Sequence, residues 1–246
     1  ESRRLGAWPE RWFARGAGAG DRARLGLDSR AGWAGGEPTR PGVFVSTFEI
    51  TNAQYLEFVR ATAYDGSEHP SSKPSERFLG HLANGSCPPG QLDHPAGNLN
   101  WHHAVAFCEW LSERSGVVVR LPTDGEWEWM AGGPDRRMYP RGDPWDPTLC
   151  NWGDNTGGDR FGLVDGFAES APVGSFPAGA TPEGVEDMAG NIWEWTAEGH
   201  LRGGPWCLES EMMRCGVVGD EGVDQADDKF GFRVVVEPAR RAEPKR

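Results

Sequence analysis

Two tryptophans placed two positions apart, directly after a glycine–asparagine turn, constrain the fold of this chain more than any other feature. Gly190 and Asn191 form the predicted turn, and residues 192–195 then alternate so that Trp193 and Trp195 share one face of a strand. Two indole rings on one face form a large apolar surface that is stable when buried. We therefore expect this strand at the centre of the core.

The composition favours one loop-rich domain over a helix bundle. Hydrophobic residues make up 37% of the 246-residue chain, whereas it holds 35 Gly, 19 Pro and 12 Trp. The net charge of −12 argues against nucleic acid and anionic membranes, because surfaces that bind them carry clustered Lys and Arg. No apolar run approaches the length of a membrane span, and residues 1–30 lack the apolar core of a secretory signal.

The cysteines favour a reducing compartment. They are odd in number and irregularly spaced, at Cys87, Cys108, Cys150, Cys207 and Cys215. Such a set is typical of reduced thiols, so we expect a cytoplasmic location. The alternative is one disulfide bond, formed between Cys207 and Cys215.

The chain divides into three predicted parts. Residues 1–42 form an arm that is rich in Arg and Gly, residues 43–237 form the domain, and residues 238–246 form a charged tail. The first 40 residues hold eight Arg against five acidic residues. Four aromatic residues in the arm favour docking on the domain over full disorder: Trp8, Trp12, Phe13 and Trp33.

Polar caps mark three helix starts in the domain. A predicted strand over residues 43–50 is followed by Thr51, which has a Gln three residues later, and Thr123 has a Glu at the same spacing. Both pairs form capping boxes, in which each side chain accepts a backbone hydrogen bond of the other residue. Asn100 begins the second helix, and Gly116 ends it.

Ordered sequence blocks resemble the formylglycine-generating enzyme family. They lie at residues 120–128, 139–143, 151–152, 190–195, 202–206 and 231–234. The resemblance implies an α+β, C-type-lectin-like fold of the formylglycine-generating-enzyme type, with short twisted strands, two main helices and extensive loops. Arg141 departs from the family, which has Trp at this position.

The same resemblance implies two oxygen-lined calcium sites. Oxygen ligands from carboxylates, amides and carbonyls suit a hard cation, and such an ion would fix loops without secondary structure. The first site would use the side chains of Asn151 and Asp165 and the carbonyls of Trp152 and Phe167. The second would use the side chains of Asp187 and Glu194 and the carbonyls of Gly190 and Ile192. The alternative is that these acidic residues only cap turns.

The family's copper-dependent oxidase activity is not matched by the cysteine spacing. Family enzymes convert a substrate cysteine to formylglycine with two cysteines five residues apart, just after the Arg-Gly-Gly segment. Here Cys207 lies one residue early, Met212 occupies the position five further on, and Cys215 follows eight residues after Cys207. Because paired thiolates would hold monovalent copper, this spacing argues against copper and catalysis. A copper-dependent oxidase and a drifted structural module remain the alternatives.

Residues 202–233 are similar to the variable proteins of diversity-generating retroelements. In those proteins scattered randomised positions on this fold form a ligand-binding surface. The resemblance implies a non-catalytic display protein, and we expect its ligand to be a protein. The fixed positions would be Arg202, Gly203, Gly204, Trp206, Arg214, Cys215, Gly231, Phe232 and Arg233.

The positions expected to contact the ligand, which we call the candidate surface, are the fixed Trp206 and fourteen positions that lie between the fixed points. They are Trp206, Cys207, Leu208, Glu209, Glu211, Met212, Val217, Gly219, Asp220, Glu221, Gly222, Gln225, Asp227, Asp228 and Lys229. Apolar anchors dominate many interfaces, so Trp206, Leu208 and Met212, with the neighbouring Met213, are the expected anchors. Alanine at Leu208 and Met212 is expected to weaken binding and leave the melting temperature nearly unchanged.

Overall fold

The computed structural model describes residues 43–68, 82, 86–153 and 165–237. The predicted arm, with its four aromatic residues, and the predicted tail lie outside these described residues. Helices are α1 Asn52–Thr62, α2 Trp101–Ser115 and α3 Asp124–Gly132, and strands are β1 Phe44–Val45, β2 Val119–Arg120, β3 Trp193–Trp195, β4 Leu201–Arg202, β5 Phe230–Gly231 and β6 Val235–Val236. The predicted α+β architecture of short strands and long connections is therefore confirmed.

The strands form two small sheets. In the first, with the order β1-β6-β2, both neighbours pair antiparallel with β6. In the second, with the order β4-β3-β5, β3 pairs antiparallel with β4 and parallel with β5. The two sheets are joined by the chain itself, because β5 and β6 are separated by only three residues. The segment 230–236 therefore links both sheets.

The predicted helix caps are present. Thr51 and Thr123 each complete a capping box, and the Asn100 side chain accepts a hydrogen bond from the His103 amide. Gly116 ends α2 in a left-handed conformation with φ of 73°. The strand expected over residues 43–50 is shorter than predicted, because only β1 has regular pairing in that range.

The main core lies between α1, α2 and the second sheet. Tyr55 stacks on Phe107, with ring centroids 5.7 Å apart, and Phe107 meets Phe232 edge to face at 5.4 Å. Trp193 and Trp195 are 6% and 0% exposed, so the strand expected at the centre of the core is there. Large aromatic side chains thus hold together a domain whose strands are only two or three residues long.

The turn before β3 is built from left-handed residues. Gly190 and Asn191 have φ of 79° and 63°. A β-carbon at position 190 would overlap the carbonyl of Asn151, so that only glycine fits there. Asn191 in turn donates its backbone N–H to the same carbonyl at 2.9 Å. The turn therefore fastens β3 to the loop that contains Asn151.

Within the described part of the chain, no helix is both long enough and apolar enough to cross a membrane.

Candidate functional site

Burial separates the predicted fixed positions from the candidate surface. Seven of the nine fixed positions are buried, the exceptions being Trp206 and Arg214. In contrast, none of the fifteen candidate positions is buried; ten are half-buried and five are exposed. The exposed ones are Glu209, Glu211, Asp220, Glu221 and Gly222. The chain therefore alternates between an internal frame and accessible side chains along residues 202–233.

Backbone hydrogen bonds hold the candidate segments in place. Such bonds do not depend on the identity of the side chain, so a segment held by them keeps its path when side chains change. Leu201 and Gly219 each donate a backbone N–H to the carbonyl of the other at 2.8 Å. Three further carbonyls of the segment accept from backbone amides of the frame: Val223 from Trp101 at 3.1 Å, Asp227 from Asn98 at 2.9 Å and Lys229 from Trp193 at 2.7 Å.

The two stretches of the candidate surface, residues 206–212 and 217–229, meet at Cys207. Burial raises the pKa of the Cys207 thiol most, and the nearby ammonium of Lys229 opposes this rise. Lys229 itself forms ion pairs with Asp227 and with Asp228. Cys207 and Lys229, which are 22 positions apart in sequence, are therefore close enough in the fold to interact electrostatically.

The expected apolar anchors are less available than the sequence indicates. Met213 is 0% exposed, so it belongs to the core and its assignment as an anchor is wrong. Leu208 and Met212 are half-buried and pack against two core clusters. The expectation that alanine at these two positions would leave stability unchanged therefore conflicts with their packing. Trp206 is half-buried, and its backbone N–H donates to the Asn191 carbonyl at 2.8 Å.

Two candidate positions are glycines that the backbone restricts. A β-carbon at Gly219 would lie 3.2 Å from the Leu201 side chain and 3.5 Å from the ring of Trp193. Gly222 has φ of 79°, a left-handed conformation that other residues adopt only with strain. These two positions are accessible, but a side chain at Gly219 would require Leu201 to shift, and one at Gly222 would require a strained backbone.

Cys207 and Cys215 lie in different surroundings and form no bridge. All five cysteines are free thiols. Cys215 is buried against α3, where burial raises its pKa to about 12 and Arg137 partly opposes the rise. A thiolate is the form that holds monovalent copper. Without a metal, burial therefore raises the pKa of both thiols.

The first predicted calcium set is brought together by the fold. The Trp152 and Phe167 amides donate to the two carboxylate oxygens of Asp165, at 2.8 and 2.9 Å. Asn151 is buried, and its side-chain N–H donates to the Glu169 carbonyl at 2.9 Å. Its side-chain oxygen is also buried and has no hydrogen-bond partner among the described residues. An unpartnered buried oxygen fits a cation ligand.

The second predicted calcium set contains an ion pair that the sequence did not indicate. Both oxygens of Glu194 accept hydrogen bonds from the guanidinium of Arg233, at 2.6 and 2.7 Å. The Trp127 indole N–H adds a further bond to Glu194 at 2.6 Å. Arg233 thus neutralises the carboxylate, and the contacts do not fit the predicted role of Glu194 as a calcium ligand. No signal in the sequence linked these positions, which are 39 residues apart.

Two further carboxyl groups lie near this ion pair, the buried Glu49 and the half-buried Asp187. Burial raises the pKa of Asp187 to about 6, although a hydrogen bond from the Gly174 amide opposes the rise. Burial and the charges of Asp187 and Glu194 raise the pKa of Glu49 well above its usual value. One Glu49 oxygen accepts from the Asn191 amide group at 3.1 Å, and the other has no partner in the described part. Among described residues, no group of three His, Cys, Asp or Glu side chains is arranged to hold a metal.

Comparison with known proteins places this arrangement in a family. Residues 34–238 match the sulfatase-modifying factor enzyme 1-like domain. The chain belongs to this sulfatase-modifying factor family. A relative in Bos taurus, inactive C-alpha-formylglycine-generating enzyme 2, is 30% identical over 264 residues, which cover 87% of this chain and 85% of that protein. Hercynine oxygenase of Mycobacterium tuberculosis is 31% identical over 152 residues, which cover 50% of this chain and 32% of that protein.

Solved structures share the fold of this family member. PvdO from Pseudomonas aeruginosa superimposes with a TM-score of 0.62 at 20% identity, covering 86% of this chain and 90% of that one. Treponema denticola variable protein 1 gives 0.58 at 20% identity, with 80% and 84% covered. Together with the family match, they confirm the C-type-lectin-like fold of the formylglycine-generating-enzyme type. Cys207 and Cys215 are free thiols on a frame that the family shares.

Proposed function

We propose that this chain is a non-catalytic ligand-binding protein, which displays the candidate surface on its C-type-lectin-like frame as retroelement variable proteins do. The observation that carries the proposal is the separation by burial along residues 202–233. Seven of the nine fixed positions are buried, all candidate positions are half-buried or exposed, and backbone hydrogen bonds hold the path between them. Such a segment can change its side chains with little effect on the core.

The thiol chemistry supports a non-catalytic role. The oxidase chemistry of the family needs two cysteines that share one copper ion, and here the two thiols have different neighbours. Cys207 is close to Lys229, whereas Cys215 is close to Arg137. The similarity to a relative named inactive points the same way. The unbridged thiols also favour the reducing cytoplasm as the location.

The charge of the surface limits the ligand. Six carboxylates lie on the candidate surface against the single ammonium of Lys229, at Glu209, Glu211, Asp220, Glu221, Asp227 and Asp228. Like charges across an interface are costly, so the ligand is a protein whose contact face is neutral or basic. The apolar part of the contact is Trp206 with the accessible portions of Leu208 and Met212.

Calcium would stabilise the frame at the Asn151 set. The unpartnered amide oxygen of Asn151 and the carboxylate of Asp165 would hold the ion, with the carbonyls of Trp152 and Phe167 as the further ligands. The ion would supply only a structural charge that fixes the loop. Copper has no part in this proposal.

An activity assay separates the display role from the oxidase alternative. The purified protein is given copper(I), oxygen and a cysteine-containing sulfatase-type peptide, and the peptide thiol is followed by mass spectrometry. The proposal predicts no stoichiometric copper and no loss of the thiol beyond that with Cys207→Ser. Turnover that disappears in Cys207→Ser would contradict it.

The coding DNA offers a separate test of the display role. A nearby near-copy of the DNA segment that encodes residues 202–233, differing from it at adenines, would support display.

A further inference from the structure

A pocket lies apart from most of the candidate surface. It is formed by the C-terminal half of α3, by the following segment 133–138 and by residues 214–217, and its volume is about 330 Å³. This is within the range of small-molecule sites, although at its lower end. Its wall includes the fixed residues Arg214 and Cys215, and it shares only Val217 with the candidate surface. A ligand in this pocket would therefore contact fixed positions more than positions of the candidate surface.

The pocket is positively charged in a chain that is acidic overall. Three arginines, Arg136, Arg137 and Arg214, line it against one carboxylate, Glu128. The charge of Glu128 is already matched, since its carboxylate accepts from Arg202 at 2.9 Å. Against a net charge of −12, such a concentration of guanidinium groups favours an anionic ligand.

Two of these guanidinium groups are held in place. Arg137 donates to the carbonyls of Pro140 and Ala131 at 3.0 and 3.2 Å and pairs with Glu183 at 3.4 Å. Arg214 is exposed, and a hydrogen bond to the Tyr139 side chain raises its pKa. This bond orients Arg214, whose charge also attracts the exposed carboxylate of Glu211. Planar guanidinium groups match the geometry of a carboxylate, which they bind through two parallel hydrogen bonds.

The rest of the wall is apolar. Trp129, Met138 and Val217 line the pocket, and Met138 is 46% exposed. The indole N–H of Trp129 is buried and has no hydrogen-bond partner among the described residues. Aromatic and thioether side chains would cover the body of a ligand whose charged end faces the arginines.

We propose that this pocket binds a small carboxylate with an apolar body. The probe for the test is 4-phenylbutyrate, titrated into the intact protein by isothermal calorimetry. The matched probes are 4-phenylbutanol, which lacks the charge, and 3-phenylpropyl phosphate, which carries a different anion on the same phenylpropyl body. The expected result is saturable binding of 4-phenylbutyrate that is at least tenfold tighter than binding of either matched probe.

Substitutions at two glycines test whether 4-phenylbutyrate binds in this pocket. Gly216 lines the pocket and Gly125 lies outside it, at an exposed position of α3; a β-carbon at either would meet nothing within 4 Å. Gly216→Leu fills the pocket and is expected to weaken 4-phenylbutyrate binding at least tenfold. Gly125→Leu, the matched control, is expected to leave the binding constant unchanged. The melting temperatures of both variants confirm that they are folded.

An arginine pair tests the charge. Arg214→Gln is expected to weaken binding at least threefold and to reduce its dependence on salt, whereas Arg141→Gln, at an exposed position outside the pocket, has no effect. The proposal is overturned if no saturable binding occurs at millimolar probe or if Gly216→Leu binds as the unchanged protein does. It is also overturned if the alcohol or the phosphate binds as tightly as the carboxylate. None of these outcomes depends on the display role.

Discussion

Arg233 and Glu194 form a two-bond ion pair with both side chains 0% exposed, at 2.6 and 2.7 Å. Arg233 also donates to the carbonyls of Ser46 and Thr47, at 3.2 and 3.3 Å. The pair therefore connects β3 to the chain between β5 and β6 and to the segment after β1. It holds together the two sheets that frame the candidate surface.

Removing one partner of this pair should destabilise the domain strongly. Arg233→Met leaves the Glu194 carboxylate buried without its counter-charge, which costs about 3–5 kcal/mol. Arg114→Met breaks the exposed pair with Glu57, at 2.8 Å, and should cost about 1 kcal/mol or less. Urea denaturation of both variants measures the difference. Equal losses would mean that the buried pair has no special role.

Asp187 makes stability depend on pH. A carboxyl group whose pKa rises on folding destabilises the folded state when it is ionised in both states. With an ordinary pKa of 3.8 raised to about 6, its penalty is absent below pH 3.8 and complete above pH 6. The free energy of unfolding at pH 7 should therefore rise in Asp187→Asn, by up to about 3 kcal/mol.

The increase in the free energy of unfolding caused by Asp187→Asn should become smaller as the pH falls from 7 to 4. Denaturation curves at several pH values compare Asp187→Asn with Asp146→Asn, whose carboxylate is exposed and accepts from Thr148 at 2.6 Å. A gain in Asp187→Asn that is the same at pH 4 and pH 7 would show that the Asp187 carboxyl does not titrate in this range.

Calcium should stabilise the protein through Asn151. At a free concentration one hundred times the dissociation constant, one bound ion adds about 2.7 kcal/mol to the free energy of unfolding. Asn151→Leu removes the unpartnered oxygen and should abolish this gain, whereas Glu194→Gln should retain it because Glu194 pairs with Arg233. Thermal melts with calcium or with chelator make the comparison. Loss of the gain only in Glu194→Gln would place the ion at the second set.

Substitution of Gly231 by a larger residue should destabilise the domain. A β-carbon there would lie 2.6 Å from the Ala96 carbonyl oxygen and overlap the Ile192 side chain. Gly231→Ala should therefore lower the free energy of unfolding by about 1–3 kcal/mol. Gly125→Ala is the control, since the space around it is open, and it should be neutral or stabilising. A small effect at Gly231 would mean that β5 shifts easily.

Local features of the sequence predicted much of the fold. Capping boxes at Thr51 and Thr123 depend on residues three positions apart, so the sequence shows them directly. The burial of Trp193 and Trp195 follows from the size of their side chains. In contrast, the pairing of Glu194 with Arg233 depends on tertiary packing between distant segments. The spacing of hydrophobic residues in the sequence does not predict such a contact.

The candidate surface was predicted only in part for the same reason. Spacing between fixed points located accessible positions, because buried residues recur where the chain returns to the core. It did not indicate that Met213 is internal or that Gly222 is left-handed. These properties depend on the local path of the backbone, which the sequence pattern alone does not define.

A combinatorial library tests the display role most directly. Four exposed acidic positions of the candidate surface, Glu209, Glu211, Asp220 and Glu221, are randomised together, and a matched library randomises the buried positions Cys215, Gly231, Phe232 and Arg233. The folded fraction of each is measured by resistance to protease. The account predicts that most members of the first library fold and that few of the second do. Similar losses of folding in both libraries would contradict it.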